Sequence, residues 1–349
     1  MPRYPAARLR EFAQALLVRS GIPADRAQVV AEVLVEGDLL GHDTHGLALL
    51  APYLGEIERG TLAVAGDIAV LNDRPAALLW DGGRLPGPWL TQRAVDTVIE
   101  RARIYGTASV VIRRSHHIAC LAAYLQRATD QGLVLLLACS DPNAASVAPF
   151  GGTRAVFTPD PLAIGFPTAG DPVLVDISAS ITTNGMSNRL QKQGQRFAHR
   201  WLIDAEGNAT DDPAELAAEP PGTILPLGGL DAGHKGYGLA LLNEALTGGL
   251  AGFGRADPKE GWGATVFVQA LDPEAFGGRA AFVRQIDFIA ERCRDNPTRA
   301  GVEPVRLPGE RALARRREQL ANGVQLHESI LPALESWAKR LEVALPTTC

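Results

Sequence analysis

Apolar residues recur at helical spacing three times before residue 60. Leu9, Phe12, Leu16 and Leu17 share one face; Pro23 suits a first helical turn and introduces Val29, Val30, Val33 and Leu34; Leu47, Leu50, Leu54 and Ile57 follow, with Gly60 as the stop. After Thr61 the period shortens to that of strands. Ile68 to Leu71 and Ala77 to Trp80 flank the turn Asn72 to Pro75 and predict a hairpin. A helix from Pro88 to Tyr105, a strand from Ser109 to Ile112 and a helix from Ala119 to Thr129 come next. Leu133 to Ala138 is an unbroken apolar run of strand length, which predicts burial on both faces. Short strands are expected at Ala155 to Phe157, Leu162 to Phe166, Val173 to Asp176 and Trp201 to Asp204, with a helix over Ser180 to Gln191 that Ser180 can cap. A glycine-rich loop then runs into a helix from Lys235 to Leu250, followed by a strand from Thr265 to Gln269, a helix over Phe276 to Arg294 and two closing helices. There is no internal repeat. The pattern predicts three regions: a helical segment over 1–72, a sheet domain over 73–300, and a helical segment over 301–349 that packs with the first.

At 349 residues, with 46% apolar and 21% charged, the chain is long enough for a large core and ordinary for a globular protein. The net charge of −5 comes without a basic stripe, which argues against nucleic acid and anionic membrane as partners. Four scattered cysteines lack CxxC spacing and read as reduced thiols, and no stretch is apolar enough to span a bilayer, so a cytoplasmic location is expected.

The chemistry gathers at element junctions. His116 and His117 stand where the strand after Ser109 gives way to a helix, and side-chain alternation lets only one of them face a site. His42 and His45 lie in Gly41-His-Asp-Thr-His-Gly46 beside a helix start, whose positive end disfavours a protonated imidazole. Imidazoles titrate near neutrality, so His45 and His117 are candidates for proton exchange with a substrate. His42-x-x-His45 has no carboxylate at metal-ligand spacing, so no metal is expected. Asp204 is either an orienter for an imidazole or a plain turn residue. There is no GxGxxG after a strand and no GxxxxGK[ST]. Gly233-His-Lys-Gly-Tyr-Gly238 at a helix start can cradle a phosphate with Lys235 as a point charge, or be a simple glycine-rich turn.

Taken in order, these segments resemble the malate/L-lactate dehydrogenase family, the non-Rossmann group that also holds ureidoglycolate, sulfolactate and diketogulonate enzymes and the cyclic-imine reductases. GHDTHGLALLAPYLGEIERG at 41–60 is similar to the family's DSHGxxRxxxYxxxxxxG; SHH at 115–117 to its SNH; VDISAS at 175–180 to its DMATS; and SDP…VAPFGG, DPLAIGFP, WLIDAEGNATDDP, GHKGYGLALLNEAL and LPGER are further matches along nearly the whole chain. The resemblance implies a homodimeric NAD- or NADP-dependent oxidoreductase acting on a small 2-oxo or 2-imino acid. It implies a mixed α/β fold, a mostly antiparallel central sheet flanked by helices. His45 and His117 match its proton-carrying histidines, Asp204 an aspartate that supports one of them in the imine reductases, and Ser140, Asp176, Ile177, Ser178, Lys235, Pro308, Gly309 and Glu310 its cofactor contacts. Thr44 and Arg114 are the expected substrate contacts. The chain departs from the pattern at Leu49, where the family has an arginine expected to pair with the substrate carboxylate, at Met186, where it has a lysine, and at Thr158 to Pro161, TPDP for GTNP. Two alternatives stay open beside a 2-hydroxyacid dehydrogenase: a cyclic-imine reductase, and a homologue that binds cofactor without turnover. A lyase using the histidines alone, with no nicotinamide, is a further rival.

Overall fold

The chain enters as a two-residue strand, β1 (Arg3–Tyr4), and then forms the three helices that the spacing predicts, α1 (Ala6–Arg19), α2 (Ala24–Leu40) and α3 (Leu50–Glu58). These positions come from a computed structural model that describes residues 2–349. Leu9, Phe12, Leu16 and Leu17 are buried on one face of α1. α2 ends at Gly41, whose φ of 89° lets the chain turn back in a left-handed cap that a β-carbon would oppose.

The hairpin is β2 (Ala69–Arg74) and β3 (Ala77–Asp81); β2 extends through Asn72 to Arg74, and a register shift between Val70 and Asn72 absorbs the extra residue. There follow α4 (Gly87–Tyr105), β4 (Thr107–Ser115), α5 (Ala122–Thr129), β5 (Val134–Ser140), β6 (Pro161–Phe166), β7 (Val173–Ser178) and α6 (Asn184–Lys192). The expected start of α6 is corrected: Thr183, not Ser180, caps it, its hydroxyl accepting from the Met186 amide at 3.2 Å, while the Ser180 hydroxyl donates to the Thr182 carbonyl. Three short strands form a small sheet of their own, β8 (Leu202–Ile203), β9 (Ala209–Thr210) and β10 (Thr223–Ile224). Ala155 to Phe157 makes only an isolated bridge, Val147 to Phe157. The chain closes with α7 (Gly229–Ala232), α8 (His234–Glu244), β11 (Ala264–Leu271), α9 (Arg279–Arg294), α10 (Glu310–Asn322), β12 (Val324–Gln325) and α11 (Ile330–Arg340). Beyond Glu244 the expected helix widens into a π turn over Ala245–Gly249.

The seven-stranded sheet has the order β2-β3-β4-β11-β5-β6-β7, and every neighbouring pair is antiparallel except β3 with β4. This is the mixed α/β, mostly antiparallel arrangement the resemblance implies. Leu135, Leu137 and Ala138 of β5 are completely buried between β11 and β6, as an unbroken apolar run requires. The two ends of the chain meet: β1 pairs antiparallel with β12, the Gln319 amide on α10 donates to the carbonyls of Asp38 and Leu39 on α2, and Arg340 pairs with Glu58. One apolar cluster runs from Tyr4 to Ala338 and anchors the end of α2, the start of α5 and the sheet edge against each other. Those three places carry the site.

Candidate active site

The segment after α2 is shaped by one buried carboxylate. Asp38 accepts a hydrogen bond from the Leu47 amide at 2.7 Å, and a β-carbon on Gly46 would lie 2.4 Å from the Asp38 carboxyl, so only glycine fits there. Burial pushes the Asp38 carboxyl up to about 7, with the Leu47 amide acting in the opposite sense. The His45 amide donates to the His42 carbonyl at 2.8 Å, which closes the tight turn that aims Thr44 and His45 outward from the helix end.

His117 lies just past β4. Its Nδ1 is 2.8 Å from the Tyr53 hydroxyl and 3.3 Å from the Ala119 amide, and its ring rests 4.7 Å from the Trp262 ring, tilted by 32°. An amide can only donate, so Nδ1 is the acceptor and the ring proton belongs on Nε2. The Tyr53 hydroxyl also reaches the His117 carbonyl at 3.1 Å, which fixes ring and backbone together. His117 lines the cavity that it shares with His45 and His116 does not, although both rings pack on Tyr53 and Trp262. His116 is wholly buried there, with Glu56 Oε2 3.7 Å from its Nε2.

The rings of His45 and His117 stand 5.9 Å apart and line one cavity of about 380 Å³. Across it lie Asp176, Ile177 and Ser178 at the end of β7, with Thr183 and Met186 at the start of α6. Thr44 is on the same wall as His45, its hydroxyl 2.8 Å from His45 Nδ1. Desolvation lowers the pKa of both imidazoles: that of His45 falls to about 4, helped by the charges of His42 and Arg189, and that of His117 falls well below its ordinary value, helped by His45 and His116. Both rings are therefore neutral at neutral pH. Burial also raises Asp176, whose Oδ2 accepts from the Ala122 amide at 2.8 Å.

Of the residues singled out in the sequence, His45, His117, Thr44, Asp176, Ile177 and Ser178 meet in this cavity. The rest lie elsewhere. Asp204 is half-buried and holds a turn, accepting from the amide and side chain of Asn208 at 2.8 and 3.0 Å, and it makes no hydrogen bond to either imidazole. Arg114 is committed to Asp81 at 3.0 Å and to Glu260 at 3.8 Å. Ser140 is buried at the end of β5, opposite Thr265.

Lys235 is exposed, and among the described residues it makes no ion pair. The glycines around it serve packing: α7 leads directly into α8 through Gly233, and a β-carbon on Gly236 would lie 2.3 Å from the Leu227 amide nitrogen. Pro308, Gly309 and Glu310 start α10 beside β7. Leu174 donates to the Pro308 carbonyl, a β-carbon on Gly309 would lie 2.8 Å from that of Leu174, and Glu310 pairs with Arg294.

Sequence reasoning missed Tyr53, Trp262 and Arg189. Tyr53 occupies the tyrosine position of the motif and was readable there. Trp262 sits in a glycine-flanked loop far along the chain, with no periodic signal. Arg189 on α6 binds Asp43, Nη1 to Oδ1 at 3.0 Å and Nη2 to the carbonyl at 3.3 Å, and brings a guanidinium beside His45 that no motif announces.

The profile described as malate/L-lactate dehydrogenase matches residues 4–335. The chain belongs to the malate/L-lactate dehydrogenase family. It is 32% identical over 345 residues to an L-lactate dehydrogenase of Cupriavidus necator, covering 97% of each chain. Its fold superposes on the malate dehydrogenase of Pyrococcus horikoshii with a TM-score of 0.88 and 26% identity, covering 98% of this chain and 96% of that one. The Δ1-piperideine-2-carboxylate reductase of Pseudomonas syringae is a more distant neighbour, with a TM-score of 0.80 and 25% identity over 97% of this chain and all of that one. Members of this family are pyridine-nucleotide-dependent dehydrogenases, and this chain is an oxidoreductase of the hydroxy-acid type. No helix among the described residues is long and apolar enough to cross a membrane. The cavity suits the nicotinamide end of such a cofactor. Ile177 is 40% exposed at the end of β7 and offers an apolar face to a flat ring, Ile118 and Leu121 back the opposite wall, and the hydroxyls of Ser178 and Thr183 supply polar contacts.

Proposed function

We propose that the protein catalyses hydride transfer between a nicotinamide dinucleotide, NAD or NADP, and C2 of a small 2-oxo or 2-hydroxy acid. The observation that carries this reading is the convergence of two neutral imidazoles, distant in sequence, on one cavity whose far wall is Asp176 to Ser178. When bound, the nicotinamide supplies or takes up the hydride. In this reading Ile177 and Ser178 hold it, and Lys235 and Pro308 to Glu310 serve the fold rather than the reacting end.

His117 and His45 manage the proton. In the reducing direction His117, charged as a bound anion favours, donates the Nε2 proton to the 2-oxo oxygen and returns to the neutral imidazole, while the Tyr53 hydroxyl, donating to the His117 carbonyl and accepting from Nδ1–H of the charged ring, steadies it. His45 hydrogen-bonds the same oxygen or the carboxylate, while Thr44 holds its Nδ1. An anionic substrate beside either ring favours the imidazolium, so binding itself raises the imidazole pKa from the low value that burial gives.

The carboxylate needs a cation, and Leu49 cannot provide one. We assign that part to Arg189, which lines the adjoining cleft together with Thr44, is 19% exposed, holds Asp43 through Nη1 and Nη2, and acts by its charge on His45. Arg189→Ala is expected to raise KM about 10-fold or more with a smaller change in kcat, because a bidentate carboxylate contact is worth about 1.5–3 kcal/mol.

The cyclic-imine alternative has the Pseudomonas syringae neighbour in its favour, but Asp204, the residue it relies on, is held by Asn208. A homodimer fits the exposed leucines at 227, 230, 241, 242 and 250 along and beside α8. The test of the function is a panel of 2-oxo acids and piperideine-2-carboxylate with NADH and NADPH, followed at the reduced-nicotinamide band. Oxidation of the cofactor by a 2-oxo acid supports the reading; binding without turnover of any substrate refutes it.

A further inference from the structure

The sequence gives no reason to expect a metal, because His42-x-x-His45 has no third ligand nearby in the chain. Folding supplies other partners. His42 after α2, Cys120 before α5 and Asp176 on β7 place one imidazole nitrogen, Sγ and one carboxylate oxygen within 4.8 Å of one another. Cys120 Sγ and Asp176 Oδ2 are 3.9 Å apart. In a tetrahedral zinc site with bonds of about 2.0–2.3 Å, ligand atoms lie roughly 3.5 Å from each other, so modest side-chain movement closes the triangle.

Each member is held by a different device. The Ala122 amide donates to Asp176 Oδ2 at 2.8 Å and leaves the other oxygen available. The His42 amide donates to the Gly37 carbonyl at 2.8 Å, and its half-buried side chain stands close enough to Asp176 to act on that carboxylate by its charge. Cys120 is only 2% exposed, its sulfur lies 3.9 Å from Asp176 Oδ2 and within reach of the Ala122 and Ala123 amides, and it faces the same cavity that His45 and His117 line. A buried sulfur beside an imidazole and a carboxylate is matched to a borderline-soft ion and poorly matched to Mg²⁺ or Ca²⁺.

We propose that His42, Cys120 and Asp176 form a binding site for one zinc-class divalent cation, with its fourth position open to the cavity. On binding, the Cys120 S–H bond breaks, its proton leaves to solvent, and an Sγ–metal bond forms without any redox change. The ion then stands against Asp176, on the wall assigned above to the nicotinamide end. Metal and dinucleotide therefore exclude each other, a consequence that rests on the cofactor reading, whereas the site itself does not.

Titration of the full-length protein with Co²⁺ tests the site directly. One equivalent is expected to bind and to give the near-ultraviolet thiolate-to-cobalt charge-transfer absorbance together with the visible bands of four-coordinate cobalt. Zn²⁺, followed by competition with a chromogenic chelator, is expected to displace it with the same stoichiometry. Cys120→Ser, which keeps Cys293 and Cys349, removes the charge-transfer band and weakens Zn²⁺ at least 10-fold; His42→Asn weakens it as well and leaves the band in place at high Co²⁺. Absence of stoichiometric binding, or an unchanged band in Cys120→Ser, overturns the proposal. If Zn²⁺ binds as expected and NADH still binds to the loaded protein, the metal site stands and the placement of the cofactor on Asp176 fails.

Discussion

Replacing Asp160 by asparagine is expected to stabilise the protein, and to do so only above mildly acidic pH. Asp160 is 1% exposed; its Oδ1 accepts from the Thr158 hydroxyl at 2.5 Å, its Oδ2 has no partner, and Arg255 stands 3.6 Å away while pairing more closely with Glu244. Burial, then the Glu244 carboxylate, push the Asp160 carboxyl up to about 8 from an ordinary 3.8.

A folded-state pKa above the unfolded one means that the folded protein binds the proton more tightly. The associated stability is complete below about pH 4 and drains away as pH rises towards 8. At about 1.4 kcal/mol per pKa unit, the loss by pH 7 has an upper bound of roughly 4 kcal/mol. Asparagine does not titrate. Its amide can donate to Glu244 while its oxygen accepts from Thr158, and it tolerates the left-handed backbone at this position, φ 46°, better than most residues. The family motif has asparagine here, GTNP where this chain has TPDP.

Thermal unfolding followed by circular dichroism at pH 5 and pH 8 is the assay. The melting temperatures of wild type and Asp160→Asn should lie close together at pH 5. At pH 8 the variant should melt roughly 3–6 °C higher, for a gain of about 2–4 kcal/mol in a chain of this size. Parallel melting curves at the two pH values, or a variant less stable at pH 8, would refute the argument.

Three further outcomes follow from the site. Tyr53→Phe deletes the hydroxyl from His117 Nδ1 and should lower kcat about 10–100-fold with little effect on KM, since a buried hydrogen bond to an imidazole is worth about 1–3 kcal/mol; stopped-flow single turnovers would show whether the chemical step carries the loss. Gly46→Ala sets a β-carbon against the Asp38 carboxyl and should displace the turn holding His45, with turnover falling at least 10-fold and stability dropping by about 1–3 kcal/mol, read by chemical denaturation. Light scattering should give twice the monomer mass, and a charged residue in place of Leu242, 50% exposed, should shift that equilibrium towards monomer.

Much of this was legible from the chain. The helices α1, α2 and α4 carry apolar stripes that fix their buried faces, and the run at Leu133 to Ala138 announces a strand covered on both sides. What escaped has a physical reason. β1 and β12 are two residues each, too short to show a period, and exist because the chain ends meet. The cap of α6 moved from Ser180 to Thr183 because both hydroxyls suit the role and tertiary contacts decide between them. In the site, His45 and His117 were readable from titration chemistry and motif, whereas Arg189 and Trp262 become neighbours only through packing of distant segments. Arg114 looked available in the sequence because its partner Asp81 lies on another strand, more than thirty residues away.

The central claim is that His117 and His45 serve one reaction on one bound dinucleotide. It is tested most directly by measuring kcat/KM for 2-oxo acid reduction in wild type, His117→Ala, His45→Ala and the double variant, together with binding of the reduced cofactor by fluorescence. Each single variant is expected to lose about 10²-fold or more in turnover, the double variant to lose far less than the product of the two, and the cofactor to bind all four. Full activity in either single variant, or losses that multiply as for independent sites, would contradict the account.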